Sequence, residues 1–188
     1  SLAHHLGKNE EAHQDFINNI NTWYDEYLKG NLDAILSNTS GCGTTMKDYG
    51  FIFRDDKKMK KKAKKISELT KDVSEYLSES LNLKFENKEK KIKIAYHSAC
   101  SMQHGQKVHN QPINLLAKTK NEILEIPEGH ICCGSAGTYN ILQSKIAKEL
   151  LKNKVKNIES LEPQVISTGN IGCITQIANG TNIPILHT

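Results

Sequence analysis

A chain of 188 residues is long enough for one domain or two small ones with a buried core. Hydrophobic residues make up 37% and charged residues 24%, which is typical of a globular protein and excludes a disordered chain. No apolar run in the sequence approaches the ~20 residues that span a bilayer. The first residues also lack the basic and then apolar pattern of a signal peptide. We therefore expect a cytoplasmic protein.

The net charge of +4 is small, although seven lysines crowd between residues 57 and 65. Acidic residues surround this run, among them Asp55 and Asp56 before it and Glu68 after it. A helix with a basic first half and an acidic second half is typical of a solvated face. Base stacking would require aromatic side chains among the lysines, and few are present. We therefore expect no nucleic-acid partner.

The apolar periodicity predicts alternating helices and strands. In chain order the predicted elements are a helix over 10–29, a strand over 32–36, a short helix over 43–53, a long helix over 57–80, a polar linker over 82–91, a strand over 92–96, a helix around 113–117, a strand over 123–126, a long helix over 138–159, a strand over 165–167, helical turns over 172–179 and a strand over 184–186. The predicted buried side of the helix over 138–159 is Tyr139, Leu142, Ile146, Leu150, Leu151, Val155 and Ile158. Strands separated by helices predict parallel βαβ units, and hence an α/β fold.

The sequence contains an internal repeat. The runs from Ser1 to Cys42 and from Ser135 to Cys173 both pass through a long helix, a short strand, a polar turn and a Gly-Cys pair. We predict two pseudo-repeated βαβ-type units with parallel strands flanked by helices. Residues 1–90 would hold the C-terminal part of the first repeat and a connecting helix, and 91–188 a complete second repeat. The chain begins where the second copy has just passed Cys132-Cys133-Gly134, so we expect a C-terminal fragment of a longer protein.

The five cysteines point to metal binding rather than to disulfides, because their number is odd and no secretory signal is visible. Each lies past the carboxyl end of a predicted strand, which is the edge where open parallel sheets bind ligands. Cys42 follows 32–36, Cys100 follows 92–96, Cys132 and Cys133 follow 123–126, and Cys173 follows 165–167. Helices are predicted to begin nearby, and a helix N-terminus favours a negatively charged thiolate.

Three kinds of chemistry remain open for these cysteines. Zinc sites usually take ligands from a Cys-x-x-Cys turn, and the sequence has none. Adjacent cysteines suit an iron–sulfur cluster better, because neighbouring sulfurs can reach different iron atoms. A structural zinc site is the first alternative, and a thiol–disulfide enzyme that uses Cys132 and Cys133 as a vicinal redox pair is the second. The prediction is an iron–sulfur cluster.

The cysteine pattern resembles the cysteine-rich CCG domain of heterodisulfide reductases and their relatives. That family has one Cys, a Cys-Cys-Gly and a Cys-x-x-Cys, and here Asn170 replaces the first Cys of the last pair. The chain is more narrowly similar to the iron–sulfur subunits of glycolate oxidase. Five blocks carry this similarity, namely Ser40-Gly-Cys-Gly43, Leu69-Thr-Lys-Asp-Val-Ser-Glu-Tyr-Leu77, Tyr96-His-Ser-Ala-Cys-Ser-Met-Gln-His-Gly-Gln106, Cys132-Cys-Gly-Ser-Ala-Gly-Thr-Tyr139 and Asn170-Ile-Gly-Cys173.

The resemblance implies an electron-relay role. FAD-binding subunits of the same complex would oxidise glycolate to glyoxylate, and this chain would pass electrons toward a quinone or another membrane acceptor, with indirect contact to the inner membrane. It implies that Cys100, Cys132, Cys133 and Cys173 hold a [4Fe–4S] cluster, with Cys42 the orphan ligand of an incomplete first repeat. No residue is assigned to catalysis, and the fragment alone is not expected to oxidise glycolate. Iron–sulfur subunits of lactate-utilisation and glycerol-3-phosphate dehydrogenase complexes share the cysteine pattern and remain alternatives.

Four histidines are candidates for a position next to a cysteine site, two beside Cys100 and two at the chain start. His97 and His104 flank Cys100, so either could hydrogen-bond to a cluster sulfur or act as a substitute ligand. An ordinary backbone contact is the simpler interpretation for both. His4 and His5 would lie beside the missing cysteines of the first repeat, and we expect them to be exposed to solvent.

Overall fold

The computed structural model describes residues 2–80, 83, 85 and 91–188 of the chain. Two compact units are formed, Ser1–Val73 and Ser74–Thr188. The linker predicted over 82–91 lies outside the described residues, except for 83, 85 and 91. The predicted division after residue 90 therefore stays a prediction. None of the helices in the described ranges is both long enough and apolar enough to cross a membrane.

The first unit combines helices with a two-stranded parallel sheet. Its elements are α1 (Leu2–His5), α2 (Asn9–Leu28), β1 (Ile35–Ser37), α3 (Ser40–Lys47), α4 (Tyr49–Ile52), α5 (Lys60–Leu69) and β2 (Thr70–Asp72). Helix α2 ends before Gly30, whose φ of +76° is a conformation that glycine adopts without strain. The strands pair with Ile35 opposite Thr70. The core of the unit is formed by Ala12, Phe16, Ile20, Ile35, Tyr49, Phe53, Met59, Ala63 and Ile66.

The long helix predicted over 57–80 is wrong in its middle. Helix α5 ends at Leu69, strand β2 follows, and a separate helix α6 begins at Val73 and ends at Ser80. The apolar stripe continues through the break, so helical periodicity did not reveal it. The reason is tertiary, because the backbone groups of β1 need hydrogen-bond partners and β2 supplies them. The β-branched Thr70 tolerates this extended conformation.

The second unit is built on a four-stranded parallel sheet in the order β4-β3-β5-β6. Its elements are β3 (Lys93–Tyr96), a π-helical turn (Ser101–Gln106), α7 (Asn110–Lys118), β4 (Glu122–Glu125), α8 (Tyr139–Leu142), α9 (Ser144–Glu159), β5 (Val165–Ser167), α10 (Ile171–Ala178) and β6 (Ile185–Leu186). Parallel strands in two sheets flanked by helices confirm the predicted α/β class. The π-helical turn was not predicted.

The core of the second unit includes two of the cysteines. It is formed by Ala95, Ala99, Met102, Val108, Ile126, Cys133, Val155, Ile158, Ile166, Cys173 and Ile177. The predicted buried side of the helix over 138–159 is right for Val155 and Ile158. It is wrong for Tyr139, Leu142 and Ile146, which are exposed. Periodicity shows which residues share a face, but it does not show how far along the helix other elements cover that face.

The sheet register brings three strand ends to the same level. Tyr96, the last residue of β3, lies opposite Glu125 of β4 and Ser167 of β5. The last residues of these three strands are therefore neighbours across the sheet. Because the strands are parallel, the loops that follow them all leave from one edge of the sheet. These are the loops that carry the cysteines.

Candidate metal centre

Four cysteine side chains meet at this edge of the second unit. Cys100 contacts Cys132, and Cys133 lies between Cys132 and Cys173. The structure thus brings together all four residues that the sequence predicts as ligands. Cys133 and Cys173 are buried, whereas Cys100 and Cys132 are half-buried, and none of the four forms a disulfide. The site therefore has a closed side and a side that approaches solvent.

Contacts between the four sulfurs shift the pKa of each thiol. Hydrogen bonding by the thiols of Cys100 and Cys133 lowers the pKa of Cys132. The same contact with Cys132, together with burial, raises the pKa of Cys100 and of Cys133. Hydrogen bonding by Cys133 lowers the pKa of Cys173 against the effect of its burial. A metal that binds all four sulfurs would displace the protons that remain on them.

Backbone amides surround the sulfurs with donors. The Gly134 N–H donates to Cys132 Sγ at 3.3 Å. The amides of Ser101 and Ser135 donate to the sulfurs of Cys100 and Cys133, and each lowers the pKa of that thiol against the larger effects that raise it. Donors of this kind stabilise negative charge on sulfur and help to set the potential of a cluster. The donor set thus fits a thiolate-bound iron–sulfur cluster.

Gly134 completes the Cys-Cys-Gly segment because no larger residue fits there. Its φ is +92°, in the left-handed region that favours glycine. A Cβ atom at this position would lie 2.4 Å from the carbonyl oxygen of Ala147 in α9. Gly134, which directly follows the adjacent cysteines, therefore lies against the backbone of that helix.

Cys173 lies in the first turn of α10. The Asn170 side chain accepts a hydrogen bond from the Cys173 N–H at 3.1 Å and caps this helix. The position that departs from the CCG pattern therefore has a structural role here. A Cβ atom on Gly172 would lie 2.7 Å from Ser135 Oγ, so the segments that carry Cys133 and Cys173 touch each other.

His97 lies beside the buried half of the site. Its ring is 2% exposed, and a ring nitrogen and the sulfurs of Cys133 and Cys173 all lie within 4.8 Å of one another. Its backbone N–H donates to the Ser167 carbonyl at 2.8 Å. Neither ring nitrogen makes a hydrogen bond of standard geometry within the described part of the chain, but interaction with the ring helps to lower the pKa of the Cys173 thiol. An ordinary backbone contact of the ring is therefore wrong for His97, whereas the exposed His104 is not part of this group.

Sequence reasoning missed Lys154, a buried cation close to the site. This residue of α9 is 2% exposed, and its Nζ donates to the Glu128 carbonyl at 3.0 Å. Burial lowers its pKa, and the nearby Cys133 and Cys132 oppose that effect. The sequence contains a signal for this position, since Lys154 is one helical turn from both Leu151 and Ile158 of the apolar face.

The remaining predicted residues lie in the first unit. Cys42 is exposed in the first turn of α3. His5 is exposed as expected, and its Nε2 lies 3.3 Å from Thr45 Oγ1. His4 is half-buried, because its ring packs edge-on against Phe16 with the centroids 5.5 Å apart.

A comparison with protein families matches residues 94–178 to a cysteine-rich domain, CCG. The matched range contains all four cysteines of the site. Residues 94–178 are a CCG domain. The CCG domain accounts for the segment from β3 to the end of α10, and the resemblance stated from the motifs is confirmed.

The relatives that match most or all of this chain have related names. The glycolate oxidase iron–sulfur subunit of Escherichia coli is 35% identical over 187 residues, which cover 100% of this chain and 46% of that protein. Lactate utilization protein A of Bacillus subtilis is 26% identical over 82% of this chain and 68% of its own length. The probable glycolate oxidase iron–sulfur subunit of the same organism is 29% identical over 79% and 34%. The chain thus spans about half the length of the first of these relatives.

Proposed function

We propose that this chain is the electron-transfer part of an iron–sulfur oxidoreductase subunit, with a [4Fe–4S] cluster held by Cys100, Cys132, Cys133 and Cys173. The observation that supports the proposal is the continuous row of four sulfurs at one sheet edge, with backbone N–H donors beside them. A lone buried cysteine has no need of either feature.

In this proposal two of the cysteines hold the buried side of the cluster, and the other two hold the side that approaches solvent. When bound, the cluster supplies one-electron transfer. Cys133 and Cys173 bind the buried side, where the backbone of the Cys132-Cys133-Gly134 segment and helix α10 exclude water. The half-buried Cys100 and Cys132 form the side at which electrons enter and leave, because transfer needs a short path to the partner.

His97 is the polar group that completes the buried side. In the proposed holo-protein one ring N–H donates to a sulfur of the centre, so that a buried nitrogen finds a partner. A hydrogen-bond donor next to a negatively charged cluster stabilises its reduced form. Direct coordination through nitrogen is the alternative that spectroscopy distinguishes.

The proposed reaction follows the names of the relatives. Flavin-bearing subunits would oxidise glycolate to glyoxylate in the cytoplasm, and the CCG domain would relay the electrons toward a quinone at the membrane. Similarity to an E. coli glycolate oxidase subunit over the entire chain supports this choice. Similarity to lactate utilization protein A supports oxidation of lactate as the second candidate.

Anaerobic purification followed by iron, sulfide and zinc analysis tests the cofactor. We expect about four irons and four sulfides per chain, the composition of a cluster with four thiolate ligands. Stoichiometric zinc without sulfide would contradict the proposal and favour a structural zinc site. A metal-free protein with a reversible Cys132–Cys133 disulfide would instead favour thiol–disulfide exchange.

Reduction of the cluster by substrate tests the reaction. The chain would be co-expressed with candidate flavin subunits, and glycolate or lactate would be added to the purified complex without oxygen. Bleaching of the cluster absorbance by glycolate alone supports the first candidate, and bleaching by lactate alone supports the second. No response to either, in a complex whose flavin is reduced, would contradict the relay role.

A further inference from the structure

Lys154 is a buried cation without an anionic partner among the described side chains. Its side chain is 2% exposed, and Nζ donates to a neutral acceptor, the Glu128 carbonyl. No described carboxylate forms an ion pair with it. Burial of an ammonium that lacks a counter-charge is unfavourable and lowers its pKa. A negatively charged group close to Nζ would offset that effect.

The Glu128 carboxylate does not fill that role. The residue is exposed, and its Oε2 accepts a hydrogen bond from Asn157 Nδ2 at 3.1 Å. Among the groups that hold Lys154 in its charged form, Cys133 and Cys132 have larger effects than Glu128, and Cys173 follows. In the proposed holo-protein, in which all four sulfurs are thiolates, the negative groups that act most strongly on Lys154 are therefore the sulfurs of Cys133 and Cys132.

The position of Lys154 links it to the cysteines mechanically as well. Glu128 precedes Cys132 by four residues, so the hydrogen bond from Nζ holds the loop that leads to the adjacent cysteines. One turn further along α9, Asn157 Nδ2 donates to the Pro127 carbonyl at 3.0 Å and holds the start of the same loop. The loop thus stays anchored by Asn157 when the charge of Lys154 is removed.

We propose that Lys154 is the internal counter-cation of the metal centre, an inference that rests on the proposed function. Four thiolates give a cluster a net negative charge, and one more electron makes it more negative. A fixed cation in a region of low dielectric stabilises both states, and the reduced one more. Lys154 is then a positioning residue that raises the reduction potential and helps to retain the cluster.

The test compares Lys154→Met and Lys154→Gln with the parent chain and with Lys152→Met, all loaded anaerobically with iron and sulfide. Gln keeps an N–H donor for the Glu128 carbonyl but carries no charge. Lys152 is exposed on the same helix, so its substitution removes the same charge without touching the site. The measurements are midpoint potential, rate of iron loss to a chelator and unfolding of the metal-free protein.

We expect both Lys154 variants to shift the potential to more negative values and to lose iron about tenfold faster, with Lys152→Met unchanged. The metal-free Lys154→Met protein should be at least as stable as the metal-free parent, because a buried charge is replaced by an apolar side chain of similar length.

Three results would overturn the inference. Parent-like potential in Lys154→Gln would show that the hydrogen bond alone matters. Equal destabilisation of metal-free and loaded Lys154→Met, with no shift in potential, would show a purely structural role. A parent chain that binds no iron would overturn the proposed function, and this inference with it, before any variant is compared.

Discussion

Two helix starts in this chain have nearly the same local design but opposite surroundings. In the first unit, β1 leads to a turn and then to α3, with Cys42 three residues after the cap residue Thr39. In the second unit, β5 leads to a turn and then to α10, with Cys173 three residues after the cap residue Asn170. Cys42 is exposed, whereas Cys173 is buried next to Cys133.

The two caps differ as well. Asn170 accepts a hydrogen bond from the backbone of its helix, whereas the Thr39 side chain makes no capping hydrogen bond. The space around the glycine that precedes each cysteine also differs between the two units. A Cβ on Gly172 would meet Ser135, whereas a Cβ on Gly41 would meet nothing within 4 Å. The succession of strand, turn and helix puts a cysteine at the start of a helix in both units. Only contacts with neighbouring loops, as for Cys173, make that cysteine part of a candidate metal site.

The largest difference between the two regions should be in iron binding. Cys133→Ser should weaken iron retention by about 100-fold, since each of four ligands contributes roughly a quarter of a binding energy of order 10 kcal/mol. Cys42→Ser should leave retention unchanged. Competition with a chelator under anaerobic conditions measures both. Equal losses in the two variants would remove the distinction between the regions.

The second unit also has a buried histidine, His97, beside its cysteine sulfurs. His97→Leu should retain the cluster roughly 30-fold less well, as for other residues that orient or hydrogen-bond to metal ligands. His104→Leu is the matched control, because His104 is exposed in the following turn. Pulsed electron paramagnetic resonance of the reduced parent should show weak coupling to nitrogen. Strong coupling that disappears in His97→Leu would mean direct coordination instead.

The paired glycines test how closely the surroundings approach each cysteine. Gly172→Ala should destabilise the protein by about 1.5 kcal/mol, because the new methyl group is too close to Ser135. Gly41→Ala should be neutral or stabilise by up to about 1 kcal/mol, since alanine favours a helix over glycine. Denaturant unfolding of the metal-free proteins measures both. Destabilisation by the same amount at both positions would contradict the contrast.

The paired caps should show the smallest effect. Asn170→Ala should cost about 1 kcal/mol of stability, because it removes the side-chain acceptor for the Cys173 N–H. Thr39→Ala should cost only a few tenths of a kcal/mol, as the Thr39 side chain makes no such bond. Asn170→Asp should preserve most of the stability if capping is the role of this residue. The free energy of unfolding of each metal-free variant decides between these outcomes.

Much of the second unit could be predicted from the sequence, because its strands are short apolar runs separated by helical patterns. The strand over 165–167 was predicted with its observed bounds, and the fold class is confirmed. Strand β2 could not be predicted, since the same residues fit a helix until β1 is available as a partner. The exposure of Leu142 and Ile146 could not be predicted either, because it depends on which elements cover α8 and the first turn of α9.

The sequence pattern alone predicts that four cysteines follow strands of one parallel sheet, and parallel strands place their carboxyl ends at one edge. The polar groups that surround the sulfurs depend on the packing of distant segments. His97 and Lys154 are ordinary residues in a local pattern, and they become distinctive because both are buried close to the same cysteines. Burial and charge interaction depend on distances between segments far apart in the chain, which spacing along the sequence does not contain.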